Sequence, residues 1–246
     1  MNKISYFLLA CLTLEAGLLF SMQNPAVVAI HARNKARSQN NQQQHQNQPY
    51  YTLFVMQPTP GYRTLKGCVN YLFSQNQIPA GYSMTPDNRW HISTIAIAVP
   101  FKGQPNANEV AQAREDLKAI VQRFKRSLAR VSFKFNKISS IGNHKFIAAH
   151  YDFASGRIEF LNAYAKIYRD FLRKYPDAYM YYGYTAVPHI SVAMTQNPGG
   201  AVPLNTSQCR RVNNVALLHG GRNLFVATGF YNPQTGRIER DKSQPI

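Results

Sequence analysis

The feature that most constrains the fold is the repeated switching of hydrophobic period along residues 50–246. Segments in which apolar residues alternate, typical of strands, are followed by segments in which they recur every three or four residues, typical of helices. Two strand-like segments meet at Gly142-Asn143, and two more meet at Gly220-Gly221. Tight turns of this kind join antiparallel strands and cannot join parallel ones. The pattern therefore predicts an α+β fold with antiparallel sheets.

Individual elements follow from the same pattern. The clearest helix is predicted over residues 108–130, because its apolar residues recur at steps of three and four. Its acidic residues also come early and its basic residues late, as the helix dipole favours. Further helices are predicted after Thr59-Pro60 and over residues 156–175. Strands are predicted at 50–56, 91–99, 131–136, 145–153, 178–194 and on both sides of Gly220-Gly221, where two of them form a hairpin.

The first 49 residues divide into two regions that precede this pattern. A basic start, a long apolar run and small residues near Ala29 predict a cleaved signal peptide over 1–29, with an uncleaved membrane anchor over 4–22 as the alternative. Residues 30–49 are rich in glutamine and asparagine and offer little apolar surface, so they predict a disordered linker. The folded domain is then 50–246, exported to the periplasm or the medium.

Charge and cysteine content restrict the partners and the compartment. Lysine and arginine number 28 against 11 acidic residues, and the net charge of +17 favours nucleic acids, nucleotides or anionic envelope surfaces. In an oxidising compartment Cys68 and Cys209 can pair, whereas the alternative for Cys68 is a buried, inert thiol. The long helix carries basic residues that form either a solvated face or a track for an RNA backbone, namely Lys118, Arg123, Lys125 and Arg126.

Two His-Ile-Ser tripeptides, at 91–93 and 189–191, begin strand-like apolar segments in the two halves of the domain. Side chains alternate along a strand, so each histidine shares a face with its serine, about 7 Å away along the backbone. If the halves fold alike around a common cleft, two imidazoles and two hydroxyls converge. One imidazole can then accept a proton while the other donates one, and the hydroxyls can hold phosphate oxygens.

This pair of motifs resembles the two-histidine (2H) phosphoesterase superfamily, which includes 2'-5' RNA ligase-like and cyclic phosphodiesterase proteins. The resemblance covers the whole domain and implies a bilobal α+β fold, with two pseudo-symmetric antiparallel sheets and flanking helices around a central cleft. It implies a metal-independent phosphodiesterase without a cofactor, acting on RNA 2',3'-cyclic phosphate ends or on 2',5'-linked or cyclic nucleotides. By position, His91 and His189 are the general acid and base, in either order, and Ser93 and Ser191 hold the phosphate. Thr94 departs from the family pattern, which has an apolar residue there, and is expected to point away from the cleft.

Weaker candidates accompany the motifs. Tyr182, Tyr184 and Tyr231 could stack on a nucleobase, although packing in the core is the commoner use of strand tyrosines. A zinc site is not expected, because each motif strand supplies only one good ligand. Three further histidines are expected to be structural or solvated: His144, His150 and His219. The first candidate for an exception is His219, because it borders the Gly220-Gly221 turn.

Two other functions fit the same sequence. One is an exported basic RNA- or nucleotide-binding module that has the fold without catalysis, whose binding would survive loss of both motif histidines. The other is an envelope-associated interaction protein in which charge matters and the cleft does not. The enzyme is expected to be a monomer whose partner is an RNA end or a small nucleotide, with no stable membrane partner unless the N-terminal segment stays uncleaved.

Overall fold

The computed structural model of the protein describes residues 25–45, 48–58, 63–78, 80–103, 106–141, 146–180, 188–195, 218–219, 224–232 and 237–240. The helices are α1 (Pro25–Gln44), α2 (Arg63–Ser74), α3 (Ala107–Arg123), α4 (Lys125–Leu128) and α5 (Arg157–Lys174), and a 3-10 turn covers Asp87–Arg89. The strands are β1 (Tyr50–Pro58), β2 (Tyr82–Met84), β3 (His91–Pro100), β4 (Ser132–Ile141), β5 (Phe146–Ser155), β6 (Tyr179–Met180), β7 (His189–Thr195), β8 (Leu218–His219), β9 (Phe225–Asn232) and β10 (Arg237–Arg240). The predicted α+β class is confirmed.

The strands form two five-stranded sheets with antiparallel pairing. The first sheet has the order β10-β9-β1-β3-β6, and the second has the order β2-β7-β5-β4-β8. Counted from β6 in the first sheet and from β2 in the second, the two orders correspond strand by strand. The strands that begin with His-Ile-Ser, β3 and β7, therefore hold equivalent second positions, and we call them the motif strands.

An exchange of short strands links the two sheets. In chain order β1, α2, β2 and β3 form one unit, and β5, α5, β6 and β7 form a second unit of the same design. The short strand of each unit pairs with the motif strand of the other, because β2 pairs with β7 and β6 pairs with β3. Through this exchange the two motif strands lie next to each other.

The sheets and helices share one large hydrophobic core. Leu53 of β1 and Ile97 of β3 belong to the same buried cluster as Leu117 of α3 and Phe171 of α5, and the second sheet contributes Ile190 from β7. Apolar burial on this scale is the main favourable term in folding. Because both sheets bury one face against these helices, the opposite faces are left for the polar residues of the motifs.

The long helix predicted over 108–130 is present but divided. It begins after Asn106, whose side chain accepts a hydrogen bond from the Asn108 amide at 3.0 Å and so caps the first turn. At Phe124 the backbone has φ −104° and ψ 5°, outside the helical region, so α3 ends there and α4 follows. The strands predicted on either side of Gly142-Asn143 pair as β4 and β5, as expected.

Within the predicted linker 30–49, the described residues 30–45 are not disordered as their composition predicts. Residues 30–44 lie in α1, and four of its polar residues are buried against α5 and the segment that follows it: His31, Asn34, Ser38 and Asn41. Their side chains bond to main-chain groups at distances of 2.8 to 3.0 Å. Composition could not reveal this, because each polar group finds its partner only when another part of the chain is in place.

The expected N-terminal signals are only partly within the described structure. Ala29, near the predicted cleavage point, lies in the first turns of α1, where Val27 is buried. Residues 1–24, including the alternative anchor 4–22, are outside the described residues. Among the helices that the structure describes, none is long and apolar enough to cross a membrane.

The hairpin expected around Gly220-Gly221 does not form among the described residues. The strand before these glycines, β8, pairs with β4 in the second sheet, whereas β9 lies between β1 and β10 in the first. The sequential antiparallel partner of β9 is β10, which the sequence pattern did not predict. Turn residues permit a hairpin, but the choice of sheet depends on which strand edges the rest of the chain leaves open.

Candidate functional site

Each His-Ile-Ser segment alternates between the core and the opposite face of its sheet. Ile92 and Ile190 are fully buried in the core, whereas the histidine and serine that flank each of them are partly exposed. Because β3 and β7 are in contact, we infer that the two pairs face one region of the surface, which we call the site face. It is defined by the four predicted site residues: His91, Ser93, His189 and Ser191.

Each motif strand carries a β-bulge directly after its serine. The extra residue is Thr94 on β3 and Val192 on β7. A bulge bends its strand and re-aims the side chains beside it, and bulges are frequent next to functional sites. The Thr94 hydroxyl donates to the Val55 carbonyl oxygen at 3.1 Å, so this side chain is bound to the main chain. Both motif strands therefore have a bulge directly after the serine, so the two halves resemble each other in single residues as well as in strand order.

The His91 imidazole is oriented by the chain just before it. Its Nδ1 atom lies 2.8 Å from the Arg89 carbonyl oxygen. A carbonyl oxygen can only accept a hydrogen bond, so Nδ1 carries the proton. Proton exchange at this ring then takes place at Nε2, as in histidines whose tautomer is set by a main-chain acceptor.

His189 has an imidazole neighbour that sequence reasoning did not connect with it. His150 of β5 lies directly opposite His189, with ring centroids 6.3 Å apart. Its Nε2 atom is 2.8 Å from the Ser139 hydroxyl of β4. Burial lowers the pKa of His150, and the positive charges of His189 and Lys137 lower it further. His150 is therefore a neutral imidazole near pH 7.

The sequence indicates the strand face on which His150 lies but not that His189 is its neighbour. Alternation in "FIAAHYDF" places His150 on the face opposite Ile147 and Ala149, which are core residues. Which residue lies beside His150 depends on the register between β5 and β7, and register is a property of two distant strands. The expectation that His150 is structural or solvated missed this neighbour for that reason.

The site face beside Ser93 is apolar and buried. Ser93 lies opposite Met56 on β1, and Met56 forms a small buried cluster with Phe54 and Ala96 on the same face. A hydroxyl at the border of buried apolar surface interacts with charge in a medium of lower effective dielectric than water. A hydrogen bond from Ser93 to an anion there would be stronger than the same bond in water.

The aromatic candidates divide between the core and the residues that the structure leaves out. Tyr179, from the tyrosine-rich stretch before the second motif, is buried in β6 with its ring centroid 5.8 Å from that of Tyr50. Tyr182 and Tyr184 are outside the described residues. Tyr231 lies in β9 opposite Tyr50 and Ile238, but its side chain is outside the described part of the structure.

The remaining sequence candidates lie away from the motifs or outside the description. Cys68 of α2 takes part in a disulfide, so the inert-thiol alternative is wrong, and Cys209 is outside the described residues. His144 is also outside them. The backbone of His219, in β8, lies opposite Ser132 at the end of the second sheet away from β7.

The basic residues of the long helix lie on the other side of the first sheet from the motifs. Helix α3 packs its apolar face into the core, on the side to which Ile92 points, and His91 and Ser93 point the opposite way. Two of these cations have acidic neighbours, since Lys118 is 3.5 Å from Glu115 and Arg123 is 3.4 Å from Asp170. Lys125 and Arg126 follow in α4 and are exposed.

Comparison with known proteins does not assign the chain to a family. No protein-family model matches the chain, and no curated protein matches its sequence. Among the described residues, no three of the histidine, cysteine, aspartate and glutamate side chains cluster as a metal site would require. Any function of the protein must therefore be inferred from the residues of the site face.

Proposed function

We propose that the protein is a metal-independent phosphodiesterase with a bilobal, 2H phosphoesterase-like fold. Its substrates are RNA 2',3'-cyclic phosphate ends or 2',5'-linked or cyclic nucleotides. The observation that carries this proposal is the equivalent placement of the two motif strands. They are neighbours, they hold the same position in their sheets, and each presents a histidine and a serine on the site face just before a bulge. Two like halves around one group suit a reaction that needs a base and an acid at once.

On a cyclic phosphate, one imidazole accepts a proton from water as the water oxygen attacks phosphorus. The bond from phosphorus to one ribose oxygen breaks, and the other imidazole, protonated at the start, donates its proton to that oxygen. The product is a phosphate monoester, and the two imidazoles have exchanged protonation states. Ser93 and Ser191 donate hydrogen bonds to the non-bridging oxygens, on which charge develops in the transition state. The remaining contribution of the fold is positioning.

Replacing each motif histidine tests the proposal directly. The variants His91→Asn and His189→Asn are assayed with a chelator present, on a panel of 2',3'-cyclic and 2',5'-linked substrates. Each is expected to lose about 10²–10⁴-fold in kcat/KM, because each removes a proton-transfer partner. The matched control is His45→Gln, since His45 lies after α1 and bonds to Gln48, far along the chain from either motif. Activity that requires a metal, or that both variants retain, would contradict the proposal.

The pH profile provides a second test of the same mechanism. Because one histidine must be neutral and the other protonated, kcat/KM is expected to follow a bell-shaped curve. Each single-histidine variant should lose one limb of this curve in its residual activity. An activity that rises steadily to high pH would instead indicate a hydroxide-type reaction without two titrating imidazoles.

A second candidate function is supported by the net charge of +17. In this alternative, the protein binds RNA or nucleotides without catalysis, and phosphate contacts dominate the affinity. Binding of a single-stranded RNA would then weaken steeply with salt and would persist in the double variant His91→Ala, His189→Ala. If the double variant no longer bound RNA, the enzyme would be favoured over this alternative.

We also propose that the domain is exported and acts as a monomer. The disulfide at Cys68 supports export, because disulfides persist mainly in oxidising compartments. Cell fractionation of the full chain, followed by sequencing of the N-terminus, would test both the compartment and the cleavage point near Ala29. Recovery in a reducing compartment would contradict export.

A further inference from the structure

The outer face of the second sheet carries a row of nitrogen bases that extends beyond the motif. Lys137 of β4 lies directly opposite His150 of β5, and His150 lies directly opposite His189 of β7. Residues directly opposite in neighbouring strands project from the same face. Lys137 is exposed, whereas His150 is almost wholly buried between the two outer members of the row. We call Lys137, His150 and His189 the basic row.

A second row of hydroxyls runs beside the basic row. Ser139 of β4 lies opposite Ala148 of β5, and Ala148 lies opposite Ser191 of β7. The central member has only a methyl group, so no long side chain separates the two serines. Ser139 is also fixed in place, because its hydroxyl is 2.8 Å from Nε2 of His150. The pattern of a cation and a hydroxyl at Lys137 and Ser139 therefore repeats, two strands away, the pattern of His189 and Ser191.

Neighbouring strands are about 4.8 Å apart, so the backbone of Lys137 is roughly 10 Å from that of His189. The flexible Lys137 side chain can bring its ammonium group closer to His189, and both residues lower the pKa of His150. The charged groups in the next row along β4 and β5 are Lys134 and Asp152, which lie opposite each other. Asp152 acts on His150 in the opposite sense to Lys137, and its cross-strand partner is Lys134. Two lysines, Lys134 and Lys137, thus stand against the one carboxylate of Asp152 on this part of β4 and β5.

His150 separates Lys137 from His189 without adding a charge. Burial lowers the pKa of His150, so its imidazole stays neutral near pH 7 between Lys137 and His189. Its ring also fills the space between them and holds Ser139 by a hydrogen bond. Two like charges separated by a neutral ring repel each other less than adjacent charges would. Such an arrangement is suited to a ligand that carries two separate anionic groups.

We infer that Lys137 and Ser139 form a second anion subsite, which binds the phosphate group next to the scissile one in an oligoribonucleotide. This inference rests on the proposed function for the position of the scissile phosphate at His189 and Ser191. It narrows the substrate class, because a cyclic mononucleotide carries one phosphate and leaves the subsite empty. Lys137 donates to the second phosphate as a point charge, and Ser139 adds a hydroxyl contact.

The first experiment compares two substrates that differ by one phosphodiester: uridine 2',3'-cyclic phosphate and a dinucleotide that ends in a 2',3'-cyclic phosphate. The unaltered protein is expected to favour the dinucleotide in kcat/KM by about tenfold, the worth of one charge-assisted contact. Lys137→Met should abolish this preference through KM and leave turnover of the mononucleotide unchanged. Lys125→Met, which removes an equal charge from α4, should keep the preference. Equal kcat/KM for both substrates in the unaltered protein, or a preference that survives in Lys137→Met, would overturn the subsite.

A second experiment needs no turnover and separates failure of the subsite from failure of the proposed function. Calorimetric titration compares adenosine 3'-monophosphate with adenosine 3',5'-bisphosphate in the unaltered protein and in both lysine variants. The bisphosphate should bind about tenfold more tightly, and Lys137→Met alone should remove the difference. This result in a protein with no phosphodiesterase activity would support the subsite and refute the enzyme. Activity without any bisphosphate preference would support the enzyme and refute the subsite.

Discussion

Two buried histidines show how burial decides what a side chain can do. His31 donates from Nε2 to the Leu161 carbonyl oxygen at 2.9 Å, and His150 bonds to Ser139. In both, desolvation is the largest effect and lowers the pKa. The motif histidines are more exposed and can exchange protons with a substrate. Exposure therefore separates structural imidazoles from those proposed to react, and sequence contains no direct measure of it.

The pKa directions of His31 and His150 predict how stability depends on pH. Their folded-state pKa values are lowered, whereas in the unfolded chain a histidine titrates at about 6.5. Above that value both states are neutral at these residues, and stability does not change. Below it the unfolded state binds more protons, so the free energy of unfolding should fall between about pH 6.5 and pH 5.

Urea unfolding at about pH 7.5 and pH 5 measures this effect. The variant His31→Gln retains a donor for Leu161 but cannot be protonated, so its free energy of unfolding should change less between the two pH values. The control is His45→Gln, which changes a partly exposed histidine outside α1 and should keep the dependence of the unaltered protein. If the free energy of unfolding fell equally between the two pH values in both variants, the assignment to His31 would be contradicted.

Gly156 is required by the backbone at the start of α5. Its φ is +72°, and a Cβ atom there would come within 2.6 Å of the Arg130 carbonyl oxygen. Gly156→Ala should therefore destabilise the fold by about 2 kcal/mol or more. Gly67 is the matched control, because it lies inside α2 with nothing within 4 Å of such an atom, so Gly67→Ala should stabilise by up to about 1 kcal/mol. Chemical denaturation of both variants checks the pair, and equal effects would contradict this account.

At the scale of elements, α1 is held by polar contacts along one stripe. His31, Asn34, Ser38 and Asn41 recur at helical spacing and are each no more than 6% exposed. Ser38 accepts a hydrogen bond from the Met180 amide on edge strand β6, at 2.8 Å, so the helix covers the edge of the first sheet. A hydrophobic pattern search cannot detect such a helix, because its buried face is not apolar.

Asn41 is the residue of α1 whose loss should cost most. Its side-chain amide donates to the carbonyl oxygens of Pro176 and Ala178, both at 2.9 Å. Asn41→Ala leaves these acceptors without that donor and should lower the free energy of unfolding by about 1–3 kcal/mol. Asn40→Ala changes an adjacent exposed asparagine and should have little effect. Thermal unfolding of both variants distinguishes them, and an equal shift would indicate that helix propensity, not docking, is responsible.

The strand elements were predicted unevenly for a related reason. Alternation found β3, β4, β5 and β7, because each is long enough to show a period of two. The single strand predicted over 178–194 was wrong, because β6 lies in the first sheet and β7 in the second. The strand β2 has three residues, too few for a period, yet β2 and β6 join the two sheets. The prediction of a hairpin around Gly220-Gly221 was wrong, because turn residues act locally whereas the sheet that a strand joins depends on distant strands.

At the scale of the whole molecule, the exchange of β2 and β6 makes the two halves depend on each other. Each motif strand is paired on one side by its own unit and on the other by the second unit. Both halves also share one core. A change on the site face of one half is therefore expected to affect the other, since neither motif strand is completed by its own unit alone.

The disulfide at Cys68 is expected to add a covalent constraint across the molecule. Besides Cys11, the remaining partner is Cys209, and we predict that peptide mapping without reduction finds Cys68 joined to Cys209. The closed loop would span more than half of the chain, so its loss should cost about 2–4 kcal/mol of stability. Cys68→Ser and Cys209→Ser should each have this effect, and the double variant should lose no more. Unequal effects would indicate another partner.

Local patterns were enough to establish the α+β class, the long helix, the β4–β5 hairpin and the shared face of each His-Ile-Ser pair, because each of these depends on residues close in the chain. Folding in three dimensions decided which strands share a sheet, that α1 docks through polar groups, and that Lys137, His150 and His189 lie in one row across β4, β5 and β7. These are relations between distant segments of the chain, such as the pairing of Tyr50 in β1 with Tyr231 in β9. Their energy comes from register, burial and paired polar groups, which exist only once the distant partners meet.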